Sequence, residues 1–494
     1  MVSKQRSSVL PKKSLTLNAF LNMVKTGLLI AFQLITFPYA SRILSTNNLG
    51  KVDYAYSIST YFALFAQLGV VQYAVREGAK IRNDKLKMRQ FTSEIFTLNL
   101  LSSSISFLLL VLSALAVPKF QDHTLLIVIY GFSFVFTTLG IEWMNTIYED
   151  FLYITIRSII IYAISLVSIF VFVRKPEDYV IYTILIVLPN FFVCISNLFY
   201  CRKYVHFGIT LKKSVFRHLK PILVFFSNTL AISIYISADS TMIGWMIGTY
   251  YNGIYAVAVK VYSTVKTILG ALYAVTIPRL TRAVDKNNMD EYRTILTDIC
   301  SAITLLIFPA AAGLIALGRE VVLVVAGNEY VDGTRSLQIL AVALIFAVWA
   351  GILVNCINIP TGREKISLRA TIISAIANIV LNLYFIPNFH QNGAAITTLI
   401  SEILVCVICI VSLDGLSKYL DLKKLAGQLP YALGGALWII LSGFVVKQMS
   451  FTLLPTLVIV MGIGGIGYAG ILILGRNKYA LRYMGKLTHR KNNG

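Results

Sequence analysis

Lys25 lies ten residues into the first long apolar run of a 494-residue chain. An ammonium at that depth in a bilayer costs roughly 2.5–3.5 kcal/mol on insertion scales, so it persists where it faces water, a partner or a ligand. Asn18, Asn22, Gln33 and Thr36 fall with it on one broad helical face. A polar stripe along an apolar helix reads as cavity lining. The pattern recurs down the chain. Asp53, Ser57, Thr60 and Gln67 share a face of the second run, and Asn228, Tyr235 and Asp239 share one of the seventh. The eighth run holds Lys260 and Lys266, with Tyr262 and Tyr273 on the face of Lys266. Six residues turn the two lysines about 120° apart, so they cannot face one centre equally. Lys260 and Asp239 lie at similar depths in the outer half, where an ion pair and a ligand site are equally good readings. Lys266 has no partner evident in the sequence and is the better ligand candidate. Ser374, Asn378 and Asn382 line the eleventh run, and Glu402 stands in the middle of the twelfth. Glu402 reads as a protonatable coupling acid or as a neutral acid bonded to a neighbouring helix.

This interior is cationic, with amides and tyrosines. Its sign suits an anionic head group, and its aromatics and amides suit sugar rings. Moving a charge of −2 outward through about 100 mV, inside negative, is favoured by roughly 4.6 kcal/mol, so export agrees with the field.

The supporting frame is a polytopic helical membrane protein. The chain is 57% hydrophobic and 13% charged, with mean hydropathy +0.74, where a soluble chain of this length carries about 25% charge. Fourteen spans are expected, at about 15–37, 53–75, 92–117, 123–143, 152–173, 179–201, 221–244, 252–275, 294–317, 335–357, 366–386, 392–412, 428–447 and 451–474. The net charge is +22, and its Lys and Arg residues concentrate in alternate loops by about four to one, which predicts both termini in the cytoplasm. Topology accounts for the charge, and nucleic acid is not needed. The expected organisation is a cytoplasmic N-terminus (1–14), a six-helix bundle (15–201), a linker (202–220), a second bundle (221–412), two further helices (413–474) and a basic tail (475–494).

Two six-helix bundles are inferred because the chain aligns with itself at an offset of 203 residues: Gly50 falls on Gly253, Ala55 on Ala258 and Arg76 on Arg279. An even number of spans separates the copies, so both have one orientation, with the substrate path expected between them. The stretch "GIGGIG" at 462–467 matches a dinucleotide fingerprint by letter but lies inside an apolar helix, where close helix packing is the better reading. The six cysteines lie in or beside spans and imply neither disulfides nor metal. No paired carboxylates or Ser/His/Asp set occurs at catalytic spacing, and external loops are short, so no enzyme, cofactor or metal centre is expected.

The stretch "FPYASRILSTNNLG", through Pro38, Tyr39, Ser41, Arg42, Leu44 and Gly50, resembles the end of the first span in the Wzx-type polysaccharide transporters of the MOP exporter superfamily. "NGIYAVAVKVYS", through Gly253, Tyr255, Ala258 and Lys260, resembles that family's eighth span. The turn residues Ser45 to Asn48 depart from its usual Gly-Pro-Glu-like run. The resemblance implies a MATE-like 6+6+2 fold and a flippase in the bacterial cytoplasmic membrane. It would move undecaprenyl-diphosphate-linked oligosaccharide, the repeat unit of O-antigen or capsule, from inner to outer leaflet by alternating access. A polysaccharide polymerase or chain-length regulator would be its partner. Lys25, Asn22, Arg42, Lys260, Lys266 and Tyr262 are then the expected substrate cavity, with Asp53, Asp239 and Glu402 as gate or coupling residues. Arg42 and Asp53 mark an outer-mouth corner, in which Pro38 is expected to end the first helix, Asn47 and Asn48 to form the turn and Gly50 to open the second. The alternatives are a peptidoglycan-precursor flippase, a drug exporter of the same superfamily, or, from another class, a membrane polymerase or ligase.

Overall fold

The computed structural model describes residues 15–449 and 451–479. The expected N-terminal segment and the basic tail beyond Tyr479 lie outside the described residues, as do the side chains of Asn18, Asn228 and Tyr235. Among the described residues every regular element is helical. The chain forms two compact units, the first through Ser237 and the second from Ala238.

The first unit contains α1 (Leu15–Ile43), α2 (Thr46–Gln67), α3 (Val70–Ile81), α4 (Lys85–Ala116), α5 (Pro118–Gln121), α6 (Thr124–Leu139), α7 (Glu142–Ile147), α8 (Phe151–Phe172) and α9 (Tyr179–Tyr200). Helix α10 (Leu219–Met246) crosses the boundary. The second unit contains α11 (Thr249–Ala274), α12 (Ile277–Asp285), α13 (Met289–Ala316), α14 (Gly318–Val325), α15 (Gly333–Ile352), α16 (Glu364–Val411), α17 (Leu422–Ala426), α18 (Leu429–Gln448) and α19 (Leu453–Leu474).

The duplication inferred from sequence reappears in these bounds. Helices α1, α2 and α4 begin at Leu15, Thr46 and Lys85, and α10, α11 and α13 begin at Leu219, Thr249 and Met289, within one residue of the expected offset. Even a cap is repeated. The side chain of Asp84 accepts from Leu86 and Lys87 N–H to start α4, and that of Asn288 accepts from Glu291 N–H to start α13, each satisfying donors left over in a first turn.

Among the described residues, twelve helical segments are long and apolar enough to cross a membrane. One of them, α16, accounts for two of the fourteen expected spans. His390 breaks it at φ 52°, ψ −135°, and Ser401 Oγ lies 3.4 Å from the carbonyl of Ser374. In a continuous helix those residues would stand about 40 Å apart, so the element is a hairpin. Gly393 permits the close turn, since a Cβ there would meet the Phe385 carbonyl oxygen at 2.1 Å. The seventh expected span corresponds to α10.

The corner after the first span departs from expectation. Helix α1 continues through Pro38 to Ile43, as membrane helices tolerate proline when neighbouring groups satisfy the freed backbone. The break falls at Leu44–Ser45, where Ser45 caps α2 by accepting from Asn48 N–H. Asn47, Asn48 and Gly50 therefore lie inside α2 and do not form a turn. The corner is tied to the α8–α9 connection: Tyr39 Oη donates to the Val173 carbonyl at 2.9 Å, and Asn48 Nδ2 to that of Pro176 at 2.8 Å.

Within the first unit α6 packs on α2, α4 and α9, while α8 packs on α1 and α9. Two apolar clusters result. One gathers Leu44, Tyr54, Leu110, Ile127 and Ile169, and the other gathers Tyr73, Phe91, Trp143, Met144 and Ile222. On α2, α4 and α9, and where α6 gives way to α7, the stretch between the clusters carries Gln67, Asn99, Asn190, Thr137 and Thr138. A polar belt thus crosses the bundle between two apolar ends.

In the second unit α18 packs on α13 and α19. A Cβ at Gly467 would lie 1.9 Å from Trp438 Nε1, and one at Gly464 3.2 Å from Ile439 Cγ1. Gly464 and Gly467 of "GIGGIG" pack α19 against α18, as the helix-packing reading expects, while a Cβ at Gly462 or Gly465 would meet nothing within 4 Å.

Candidate functional site

The polar belt of the first unit is an ion network. Lys25 on α1 donates to Glu142 at the start of α7. Glu142 Oε2 lies 3.6 Å from Arg157 Nη2 on α8. Arg157 Nη1 donates to Asn197 Oδ1 on α9 at 2.5 Å, and Asn145 Nδ2 donates to the same oxygen at 2.8 Å. These groups come from four elements. Lys25, Glu142 and Arg157 border a cavity of about 390 Å³ whose wall also includes Gln67, Asn99, Tyr162 and Asn190.

Local backbone chemistry places Glu142. Ile141 is fully buried in the left-handed region at φ 42°, a conformation that costs a β-branched residue of order 1–3 kcal/mol and persists only where its surroundings over-determine it. Asn197 Nδ2 fixes the preceding backbone by donating to the Gly140 carbonyl at 2.9 Å. The strained step ends α6 and starts α7 with Glu142 in its first turn, where a carboxylate is favoured by the helix dipole.

Arg157 is the most enclosed cation of the network. Its side chain is 6% exposed, its guanidinium lies 5.3 Å from the Tyr153 ring centroid, and its buried Nε has no hydrogen-bond partner. Leaving that donor unmade in a buried guanidinium costs free energy.

The second unit holds its own cluster, where α11 meets the hairpin α16. Lys266 Nζ donates to Glu402 Oε1 at 2.6 Å, and Tyr262 Oη donates to the same oxygen at 3.1 Å. Lys266 therefore has a partner, which corrects the expectation of an unpaired lysine. Its sequence separation of 136 residues from Glu402 hid the pair. Asp239 accepts from Tyr255 Oη at 2.7 Å, Thr398 Oγ1 at 2.6 Å and Asn382 Nδ2 at 2.7 Å. Asn382 in turn donates to Asn378 Oδ1 at 3.1 Å. The amides expected to line the eleventh span thus hold a buried aspartate.

The other expected residues are spread more widely. Lys260 lies on α11 six residues before Lys266, and its carbonyl accepts from Ser263 and Thr264. Asn22 is exposed on α1, and its carbonyl accepts from Thr26. Arg42 is exposed in the last turn of α1, about 25 Å along the helix from Lys25. Asp53 is half-buried on α2, about 21 Å along it from Gln67. The first unit's network therefore gathers only Lys25 from the expected set. Glu142, Arg157, Asn145 and Asn197 were missed. The rule that marked Lys25 reaches Arg157, inside the fifth expected span, and Glu142, near the end of the fourth.

Comparison with known proteins places the chain. The polysaccharide biosynthesis protein family matches residues 15–284. A putative O-antigen transporter of Escherichia coli strain K12 is 22% identical over 400 residues, covering 80% of this chain and 95% of its own. A probable low-salt glycan biosynthesis flippase of Haloferax volcanii is 26% identical over 199 residues, so the match spans 39% of this chain and only 41% of that relative. Among solved structures, the lipid II flippase MurJ in an inward closed conformation superposes with TM-score 0.70 at 16% identity, covering 94% of this chain and 99% of the other. An inward-facing MATE transporter of the MOP superfamily gives 0.57 at 13% identity, covering 84% and 99%. The fold is that of these transporters.

Proposed function

The chain belongs to the polysaccharide biosynthesis protein family, and on that premise we propose that it moves a lipid-linked polysaccharide precursor across the membrane. The substrate in this reading is an undecaprenyl-diphosphate-linked oligosaccharide, carried from the inner to the outer leaflet by alternating access. The protein lies in the bacterial cytoplasmic membrane with both termini inside, and a polymerase or chain-length regulator receives its product.

The observation that carries the reading is the charge of the first unit's belt. Lys25 and Arg157 share a single carboxylate, Glu142, so the network keeps one positive charge over. A diphosphate diester offers two negative charges and acceptor oxygens that suit a guanidinium and an ammonium better than one carboxylate does. Glu142 keeps both cations from standing uncompensated until the diphosphate competes for them. Gln67, Asn99 and Asn190 offer amides for sugar hydroxyls.

In the second unit, Lys266 and Tyr262 on Glu402 form a group whose internal pairing can be exchanged in the same way, or by protonation of Glu402. Arg42 and Asp53 belong in this reading to the outer corner, where a head group departs.

The test is surface polysaccharide and precursor location in cells carrying Lys25→Ala or Arg157→Ala. With variant protein present in the membrane at the parent level, surface polymer is expected to fall at least ten-fold while precursor accumulates on the inner leaflet. Normal polymer from both variants would sink the proposal.

A further inference from the structure

A cavity of about 690 Å³ in the first unit lies not in the polar belt but on the outer face of α8 and α9. Helix α8 presents Leu152, Ile156, Ile160 and Ile164 at four-residue intervals, all between 49% and 59% exposed. Phe192 and Ile195 face them from α9. The floor has a specific origin. Pro189 on α9 has no N–H to give the Leu185 carbonyl, and Ser165 of α8 donates to that oxygen instead at 2.8 Å. The two helices are thereby joined beneath an open apolar groove.

At one end the groove turns polar, and there it meets the belt. Arg157 borders both cavities. The nearby carboxylate of Asp150 is already engaged by Tyr200, Tyr204 and Lys203, which leaves Arg157 as the cation available at the junction. The groove continues along α8 from Leu152 to Ser168, sixteen residues or about 24 Å. A single leaflet of a roughly 30 Å hydrocarbon core is about 15 Å deep. The groove therefore runs past the midplane, farther than an acyl chain of a phospholipid in one leaflet reaches.

We infer that this groove seats the isoprenoid tail of the transported carrier, with its diphosphate at Arg157 and its sugars in the polar belt. The inference rests on the proposed function and names a part of the substrate that the belt alone leaves outside. Arg157 is the threshold between a chain that stays in lipid and a head group that leaves it. A phospholipid also has an anionic head and apolar chains, but its chains end within one leaflet and its head does not fill a sugar-sized cavity.

The test uses the full-length protein in lipid nanodiscs and an undecaprenyl diphosphate bearing a diazirine near the end of its tail. After irradiation, the crosslinked peptides are expected to contain Ile160, Ile164 or Phe192. Labelling is expected to fall at least ten-fold when Ile160→Trp and Ile164→Trp fill the groove. Capture of a short water-soluble isoprenyl diphosphate, read by tryptophan fluorescence on the parent and by native mass spectrometry on both proteins, is expected to persist in the filled protein. Tail crosslinks confined to other helices would overturn the groove while leaving the transport proposal intact. So would labelling unchanged in the filled protein, or labelling displaced equally by a phospholipid of the same head charge. If the parent retains neither diphosphate, the transport proposal and the groove fall together. Should the double variant not fold, Ile160→Cys carrying a maleimide-benzophenone reads the same contact from the protein side, because all six native cysteines are buried.

Discussion

Lys266 Nζ lies 2.6 Å from Glu402 Oε1, and the carboxylate is 4% exposed while the lysine is 37% exposed. The two ends of this pair are therefore unequal. Removing the lysine strands a buried anion, whereas removing the anion leaves a cation that reaches water.

From that asymmetry, Lys266→Ala should lower thermal stability of the purified protein more than Glu402→Gln does. Breaking a fully buried pair costs about 3–5 kcal/mol, and the partial exposure of Lys266 brings the expected loss below that range. Combining Lys266→Met with Glu402→Gln should recover most of it. Equal melting temperatures for Lys266→Ala and the parent would contradict the pairing.

A charge exchange separates structure from transport in the first unit. Lys25→Glu with Glu142→Lys keeps opposite charges facing each other but moves the cation to α7. Protein level and melting temperature should recover part of the loss seen in Lys25→Glu alone, short of the parent because the exchanged ammonium then stands beside Arg157, while precursor transport should remain at least ten-fold down because the substrate's cation has moved. Full transport by the exchanged protein would show that the pair is only a structural strut.

The floor of the outer groove can be probed by a double-mutant cycle. Ser165→Ala should cost about 1 kcal/mol by leaving the buried Leu185 carbonyl without a donor. With Pro189→Ala in place, α9 can supply its own N–H, and the same serine change should cost little. A coupling below about 0.3 kcal/mol in chemical denaturation would mean that the two residues act independently.

The loop after α16 gives a pH signature outside the membrane. Arg363 Nη2 donates to Asp414 Oδ2 at 2.5 Å, and that hydrogen bond together with the nearby charge holds the Asp414 carboxyl below the usual aspartate range. A depressed folded-state value means the contribution is present at neutral pH and is lost as pH falls below about 4. The melting-temperature difference between the parent and Asp414→Asn should be small, since Asp414 is exposed, and should close on acidification through that window. A difference that grows with acid would contradict the pair.

Much of the fold is legible in the sequence because lipid imposes a simple rule. Apolar length alone marks a span. The duplication is legible for a similar reason, since Gly50 and Gly253 lie at corresponding places in α2 and α11. The partners of the buried charges are not legible. Lys25 and Lys266 stand out as costly residues in apolar runs, but their carboxylates lie 117 and 136 residues away. No local period links them. Glu142 is further disguised because it stands where α6 ends at a strained isoleucine, a place that reads from the sequence as the edge of a span. Pro38 misleads in the opposite direction. In water it would end a helix, whereas α1 continues for five more residues, to Ile43.

The hairpin of α16 bears on how the chain is made. Its corner, from Tyr384 to Gly393, carries no lysine or arginine, so no charge there pins one side of the membrane during synthesis. Its two legs instead bond to each other, Asn382 accepting from Thr397 Oγ1 at 2.5 Å and the Ser374 carbonyl from Ser401. The legs satisfy each other's polar groups, which favours insertion of both as a single unit. A chain in which only one leg of the hairpin crossed would carry α18 and α19 inverted, a fault set during synthesis rather than in the finished protein.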